Sequence, residues 1–474
     1  MISTFRKYFF LVLTAFSLSC FAQESWTLQK CIDYSLEHNI QARQADLRTN
    51  LSKSRLQQSY MEYLPSLNGN ASHNYNYGKT IDQFAGRFVD QRTQTNNFYI
   101  SSSVTLFNGF QLQNTRRQYK YDFLAGKKDA EQTRNDVALN VIANYLQVLF
   151  NTEFFNTAKS STDATEKQLS RIEQLVTAGA LPVGNKLEME AQLASDELNE
   201  VNAKNRLDLS YLDLAQSMNL DSVQSLKIVN PNLSTYEYTI LEVSAKDIYH
   251  VALQNQPSVK SGEFRVKSAQ AGLSLARGTR SPQLTMSGSF GSGYSDARQQ
   301  IAGYQKPDSA LFGYISNIPI YYTPAEGEPI FEKTPFNKQI NDNLNKSFGF
   351  NLTIPLFNSW QSKSAIDRAK INYSEAELNL QLTRNVLFKN IQQAHADALA
   401  ALRKYNASSK NVNAMSESFK YTEQKFNLGM VNSLDFLTAK NNLDKAKSEL
   451  LQAQYEYIFK TKILDFYLGK QLSF

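Results

Sequence analysis

The sequence predicts an α+β membrane protein made of two structural repeats, each a long antiparallel α-hairpin attached to two transmembrane β-strands. Three observations carry this. Pro65 and Leu67 recur 217 positions on as Pro282 and Leu284, while Phe107-Asn108, Thr133-Arg134-Asn135, Gly179 and Leu193 recur 250 positions on as Phe357-Asn358, Thr383-Arg384-Asn385, Gly429 and Leu443. A unit duplicated at a fixed offset is used twice around one object. Second, 110–178 and 360–468 are free of proline and hold one glycine each, Gly126 and Gly429. Their apolar residues fall three or four apart, as in Leu387, Ile391, Ala394, Ala398 and Leu402, with Leu380 two turns before, which is helical periodicity. Third, the period between the helices drops to two: Phe348, Phe350, Leu352 and Ile354 alternate with Gly349, Asn351 and Thr353.

The elements follow in order. Arg6-Lys7, the apolar stretch Tyr8–Leu18 and Cys20-Phe21-Ala22 before Gln23 read as an export signal, 1–22, cleaved after Ala22. A rival lipoprotein reading makes Cys20 the lipidated residue, but Ser17 stands where such motifs favour leucine. The first repeat, 23–220, opens with a helix at 27–63, continues with strands at 64–77 and 98–107, and ends in the hairpin 110–218. Its long arm, 110–177, is about 100 Å at ~1.5 Å per residue. The turn Gly179-Ala-Leu181-Pro182-Val-Gly184 stops that arm, since glycine accepts the left-handed position past a helix end and proline cannot continue it. A linker with Pro231 spans 221–243. The second repeat, 244–474, repeats the order: a helix at 245–280 behind the capping-box pattern Ser244-Ala-Lys-Asp247, strands at 282–293 and 346–356, and the hairpin 360–468 turning at Gly429.

Strands of about ten residues with one apolar face match a membrane crossing whose apolar face meets lipid. Tyr75, Tyr77, Tyr99, Tyr294 and Tyr304 sit at strand ends and in loops, where interfacial aromatics belong. Four strands leave two open edges, which lipid does not tolerate. Eight strands are filled by side chains, so three protomers and twelve strands are the expected barrel. The two repeats differ by 33 residues, all between Tyr294 and Asn345. That surplus holds Phe312, Tyr314, Tyr321, Tyr322 and Pro307, Pro319, Pro324, Pro329 and Pro335. Its expected form is an irregular, aromatic-rich cap outside the cell, at the end opposite the hairpin turns.

Composition excludes more than it names. The net charge of +6 is spread among carboxylates along the helices, which reads as solvated faces and not as a nucleic-acid patch. Past the export signal Cys31 stands alone, so no internal disulfide forms. His38, His73, His250 and His395 have no metal-ligand spacing, and no nucleophile, phosphate-binding or dinucleotide motif appears. Gly288-Ser-Phe-Gly291-Ser-Gly293 follows a strand and opens no helix, so it belongs to a barrel rim.

The order of export signal, helix, two strands, ~100 Å helix, glycine turn and return helix, stated twice over 27–470, resembles the TolC family of outer-membrane efflux channels. The resemblance implies a homotrimer with a 12-stranded barrel in outer-membrane lipid, and helices forming a tunnel across the periplasm. It implies a passive exit duct for efflux or type I secretion, with no cofactor. The partners it implies are a periplasmic adaptor at the hairpin tips and an inner-membrane transporter of RND, ABC or MFS type. On this resemblance Gly179, Leu181, Pro182, Gly429 and Val431 are the adaptor-contacting tip residues. Asp435 matches the first of two acidic residues at the tunnel entrance, and the second position is Thr438. The family's closing network departs here: its arginine and tyrosine positions are Val431 and Phe426, and its aspartate position is Asn185. A periplasmic adaptor or structural coiled-coil protein is the rival reading, although adaptors carry one hairpin and this chain two.

Overall fold

The repeat carries through from sequence into secondary structure. The computed structural model describes residues 25–82, 86–89, 92–220, 226–230, 243–306, 308–322 and 327–470. The export signal, Cys20 and most of the 221–243 linker fall outside them. Along the described chain run β1 (Ser25–Trp26), α1 (Leu28–His38), α2 (Ile40–Met61), β2 (Ser66–Asn76), β3 (Thr80–Asp82), β4 (Arg87–Val89), β5 (Thr93–Phe107), α3 (Gln111–Thr177) and α4 (Val183–Met218). After β6 (Lys227–Ile228) come α5 (Ala245–Asn255), α6 (Pro257–Gly278), β7 (Gln283–Ser295), β8 (Gln299–Tyr304), β9 (Ala310–Ile315), β10 (Ile318–Tyr322), β11 (Pro329–Lys333), α7 (Phe336–Asp342), β12 (Asn345–Thr353), α8 (Gln361–Asn427) and α9 (Ser433–Tyr467). The long arms α3 and α8 have 67 residues each.

The chain forms two compact units, and each repeat contributes to both. Among the described residues, one unit comprises those up to Lys53, within Tyr121–Lys267 and from Ser374 onward; the other comprises those within Ser54–Lys120 and Ser268–Tyr373. In the helical unit, Cys31, Ile32, Val141, Ile142, Tyr145, Leu214, Met218 and Ile458 form the largest apolar cluster. The Tyr145 hydroxyl there donates to the Val229 carbonyl at 2.6 Å, tying the described part of the linker to α3. A second cluster joins Ile248, Ala252 and Val259 to Leu387, Ile391, Ala398 and Leu464.

The opening helices differ from the expected single rods at 27–63 and 245–280: each breaks after eleven residues. In the second repeat the break falls at Gln256, whose extended backbone precedes Pro257. A residue before proline is pushed out of the α region, and proline suits the first position of the next helix. In the first repeat Asn39 does this work. Its side-chain oxygen accepts from the backbone of Gln41 (2.8 Å) and Ala42 (3.3 Å), and its amide donates to the Ser217 carbonyl at 2.9 Å. At Ser244 the hydroxyl accepts from the Asp247 backbone N–H at 3.2 Å and donates to the Asp247 carboxylate at 2.7 Å.

The second unit is built on one antiparallel sheet in the order β12-β7-β5-β2. Register places Asn68, Ser101, Ser289 and Ser347 side by side across all four strands. The opposite face carries Val104, Met286 and Phe350 in one row, with Leu284 and Leu352 beside it. Phe348, Phe350 and Leu352 are more than half exposed in the single chain, as expected of a face made for lipid. Strand β5 begins at Thr93, five residues before the expected start, and β12 stops at Thr353, short of 356.

The 294–345 surplus is not irregular. Strands β9 and β10 form a hairpin turning at Ser316-Asn317, both left-handed, and β8 pairs with β11. Pro319 is accommodated in β10 and Pro329 at the start of β11, because the first position of a strand and the edge of a two-stranded ribbon require no donor. Pro307 and Pro324 lie outside the described residues. None of these strands joins the four-stranded sheet. Helix α7 locks the base of the ribbon. Fully buried Gln339 accepts from the Ser295 backbone at 2.9 Å and donates to the carbonyls of Ser295 (2.9 Å) and Thr334 (2.8 Å).

Candidate functional site at the hairpin tips

Both long helices end in the same turn. Gly179 and Gly429 have φ +73°. Ala180 donates to the Leu175 carbonyl at 2.8 Å and Gly179 to Val176 at 2.9 Å; Met430 donates to Lys425 at 2.9 Å and Gly429 to Phe426 at 3.0 Å. This is the double hydrogen bond of a Schellman cap, repeated residue for residue. A Cβ on either glycine would meet nothing within 4 Å. The demand for glycine is therefore one of backbone angle and not of space.

The return helices start differently. Pro182 precedes α4 without a side-chain cap, whereas Asn432 accepts from the Asp435 backbone at 2.8 Å. Asp435 and Thr438 are exposed and three apart, hence on one helix face. Asp435 stands in the first turn of α9, where the helix dipole favours a carboxylate. Asn185 is half-buried on α4 and has no hydrogen bond to either. Leu181 packs on Ile172, Met189, Phe436 and Leu437, in a cluster joined by Phe419 and Phe426. Phe426 stacks on Phe436 with ring centres 4.8 Å apart. At the tips, polar bonds also bridge the hairpins: Arg171 to the Asn427 side-chain oxygen at 2.7 Å, and the Ser433 hydroxyl to Glu188 at 2.5 Å. Val431 is half-buried, and Gly179, Pro182 and Gly429 remain exposed. The tips thus present an exposed rim in which Val183, Leu428, Met430 and Leu434 are apolar, over an aromatic core held by both repeats.

With this geometry in place, comparison with known proteins is decisive. The family model for outer membrane efflux proteins matches residues 31–220 and 248–470. The chain belongs to the outer membrane efflux protein family. It is 21% identical to TolC of Salmonella enteritidis over 348 residues, 73% of this chain and 64% of that one, so the match spans less than two thirds of that relative. It is 22% identical to the cation efflux system protein CusC of Escherichia coli K12, across 90% of this chain and 82% of the relative. A crystal structure of CusC superposes with a TM-score of 0.75 at 15% identity, covering 94% of this chain and 92% of the other. The fold is that of these channels: long helical hairpins with a transmembrane β-barrel. The chain is an outer-membrane protein with its helical part in the periplasm. The family is one of transport proteins and not of enzymes.

Three features of this family member escaped the sequence reading. Lys440 is buried beside Asp196, 2.9 Å away, and Asp444, 3.2 Å away. Burial alone would raise the Asp196 pKa; hydrogen bonds from Thr165 and Lys440, with the ammonium charge, outweigh it and hold the carboxyl below its ordinary range. A signal was present, since Phe436, Leu437, Lys440, Leu443 and Ala446 share one helical stripe, as do Met189, Asp196 and Ala203. The second feature is the stack of Phe419, Phe426 and Phe436. The third lies at the turns from β5 into α3 and from β12 into α8. There Phe110 (φ 61°) and Trp360 (φ 65°) are held left-handed and exposed, at matched positions of the two repeats. A bulky residue in that region is strained, and duplication of the strain points to use. Next to a lipid-facing sheet, these side chains suit the membrane interface.

Proposed function

We propose that this chain is the outer-membrane exit duct of a tripartite efflux or secretion system. It acts as a homotrimer whose twelve strands enclose the pore. Its six hairpin tips dock on a periplasmic adaptor joined to an inner-membrane transporter. The observation that carries the reading is the duplicated arrangement itself: two 67-residue arms, each closed by the same glycine turn, attached to a sheet with one apolar face, one Ser/Asn face and two free edges.

The duct is passive. Its polar face of Ser101, Ser289, Ser347 and Asn68 offers hydroxyls and amides but no fixed charge, so it replaces water contacts for a wide range of solutes without holding any of them. Selectivity and energy then belong to the transporter. At the tips, Gly179, Leu181, Pro182, Gly429 and Val431 form the docking rim, and Asp435 with Thr438 lines the entrance. One acidic residue per protomer gives three in the trimer, a weaker cation field than two per protomer would produce. The test is genetic and electrical. Deleting the gene should sensitise cells to exported compounds, and the wild-type chain should restore tolerance and give discrete conductance steps in planar bilayers. Restored tolerance without any conductance would leave an adaptor-like role instead.

A further inference from the structure

Packing between the two α-hairpins is apolar at the tips, around Phe436, and again around Tyr455 and Ile458, with a polar layer between. Lys440 of α9 donates to Asp196 of α4 at 2.9 Å, to Asp444 of its own helix at 3.2 Å, and to the Ser161 hydroxyl of α3. Ser161 in turn donates to Asp444 at 2.9 Å. Asp196 is completed by Thr165 at 2.6 Å and Gln192 at 2.7 Å, and Gln192 exchanges amide hydrogen bonds with Asn441 at 3.3 Å. Asp196 and Lys440 are 6% and 9% exposed at their side chains, against a quarter or more for both members of every other ion pair between two residues of the described chain that lacks Lys440. The layer therefore joins three helices and both hairpins around a Lys440–Asp196 pair with little access to water, Asp444 being 29% exposed.

The duplication makes this layer informative. At the 250-residue offset, Lys440 corresponds to Glu190, Asp444 to Ala194, and Asp196 to Ala446. The repeats agree at the glycine turns and diverge here, so the layer exists in one pairing of first hairpin on second and not in its mirror image. Apolar side chains tolerate a slip of one helix along another, because one methyl replaces the next. A buried ammonium between two carboxylates does not. A slip of one turn, ~5.4 Å, would carry Lys440 away from Asp196 and leave that buried carboxylate without its cation, while Lys440 kept only Asp444 of its own helix. A single buried polar residue setting register in an otherwise apolar helix seam is the best-attested use of such groups.

We propose that Lys440 is a positioning residue that fixes the axial register of the second α-hairpin on the first, and so levels the two glycine turns for docking. Only that last step rests on the exit-duct reading.

The test uses the full chain in outer-membrane vesicles, with spin labels at Leu175→Cys on α3 and Tyr421→Cys on α8, both exposed; buried Cys31 stays unlabelled. The register is read as the distance distribution between labels. With labelled chain diluted by unlabelled chain, so that an assembly carries one labelled protomer, a single narrow distance is expected for the parent. In K440M/D196L, which keeps side-chain volume and removes the pair, the distribution should broaden or split by about one helical turn, ~5 Å, with helicity and insertion unchanged. A narrow, unshifted distance in the double variant would overturn the proposal, because the apolar clusters would then set register alone. Failure of the double variant to fold would overturn it as well, since like-sized apolar groups should hold the helices together if register is all the layer supplies. Conductance is recorded on the same samples. A split distance in a chain that conducts nothing would keep the register role and remove the duct.

Discussion

At the scale of single residues, the tips depend on backbone angle. Gly179 and Gly429 lie in the left-handed region with open space around them, so substitutions there act through φ alone. Gly429→Val should cost about 1–2 kcal/mol in the turn and displace it, whereas Gly429→Asn, which visits that region readily, should be close to silent. Drug tolerance of cells carrying each variant reads the difference, with immunoblots of outer membranes checking insertion; equal tolerance would deny the turn a docking role. Asp196 gives a second test. Its pKa is lowered in the folded chain. Its contribution is therefore present above the unfolded carboxylate value, near pH 4, and is lost as pH falls through the lower folded value. Acid should loosen the hairpin seam only below the usual carboxylate range, and Asp196→Asn should remove that acid transition from a helicity titration. Lys440→Met alone strands Asp196 in a buried site and should cost about 3–5 kcal/mol, seen as a lower melting temperature by circular dichroism.

Among the elements, the repeat made the long helices and their turns legible. An offset that matches Gly179 to Gly429 also fixes where both arms stop, and α3 and α8 have the same length. Three of the four long strands were legible from alternation, to within five residues, whereas 67–77 alternates less regularly. The break at Gln256 was also readable, from Pro257, but the matching break at Asn39 comes from a side chain that caps the next helix and reaches α4. That depends on a tertiary partner and leaves no local pattern. Proline and aromatic content suggested an irregular cap for 294–345, yet paired ribbon edges and the Gln339 clamp give it regular structure. The polar layer was hidden for another reason: Lys440 and Asp196 stand at apolar positions of their stripes, and nothing in either stripe names the other. At the clamp, deletion of 305–328 should leave membrane assembly intact, because β8, β11 and α7 remain. Gln339→Leu should instead destabilise the loop base, since the Ser295 backbone N–H and the Ser295 and Thr334 carbonyls lose their partner. Limited proteolysis of intact cells distinguishes the two variants, and equal protection would deny Gln339 its role.

For the whole molecule, the sheet decides what the chain must become. Strands β2 and β12 each have one neighbour in the order β12-β7-β5-β2, so each offers an unpaired edge. In lipid every unpaired backbone group costs several kcal/mol, and edge pairing between protomers removes that cost. Three copies in mild detergent, measured by mass photometry, is the expected assembly; a stable monomer would contradict the open-edge reasoning. The two faces then have opposite sensitivities. Phe350 lies on the apolar face, in register with Met286, and Ser289 lies in the serine row with Ser101 and Ser347. An arginine facing lipid near the midplane costs about 2–4 kcal/mol per copy, tripled in a trimer, whereas an arginine facing water in the pore costs little but occupies volume. Phe350→Arg should therefore reduce the amount of assembled protein in the membrane while leaving the conductance of any surviving channels close to the parent value. Ser289→Arg should assemble normally and place three guanidinium groups at one level of the pore, lowering single-channel conductance and shifting selectivity towards anions. If Ser289→Arg instead failed to insert while Phe350→Arg narrowed the pore, the faces would be reversed, and the serine row would belong to the lipid side.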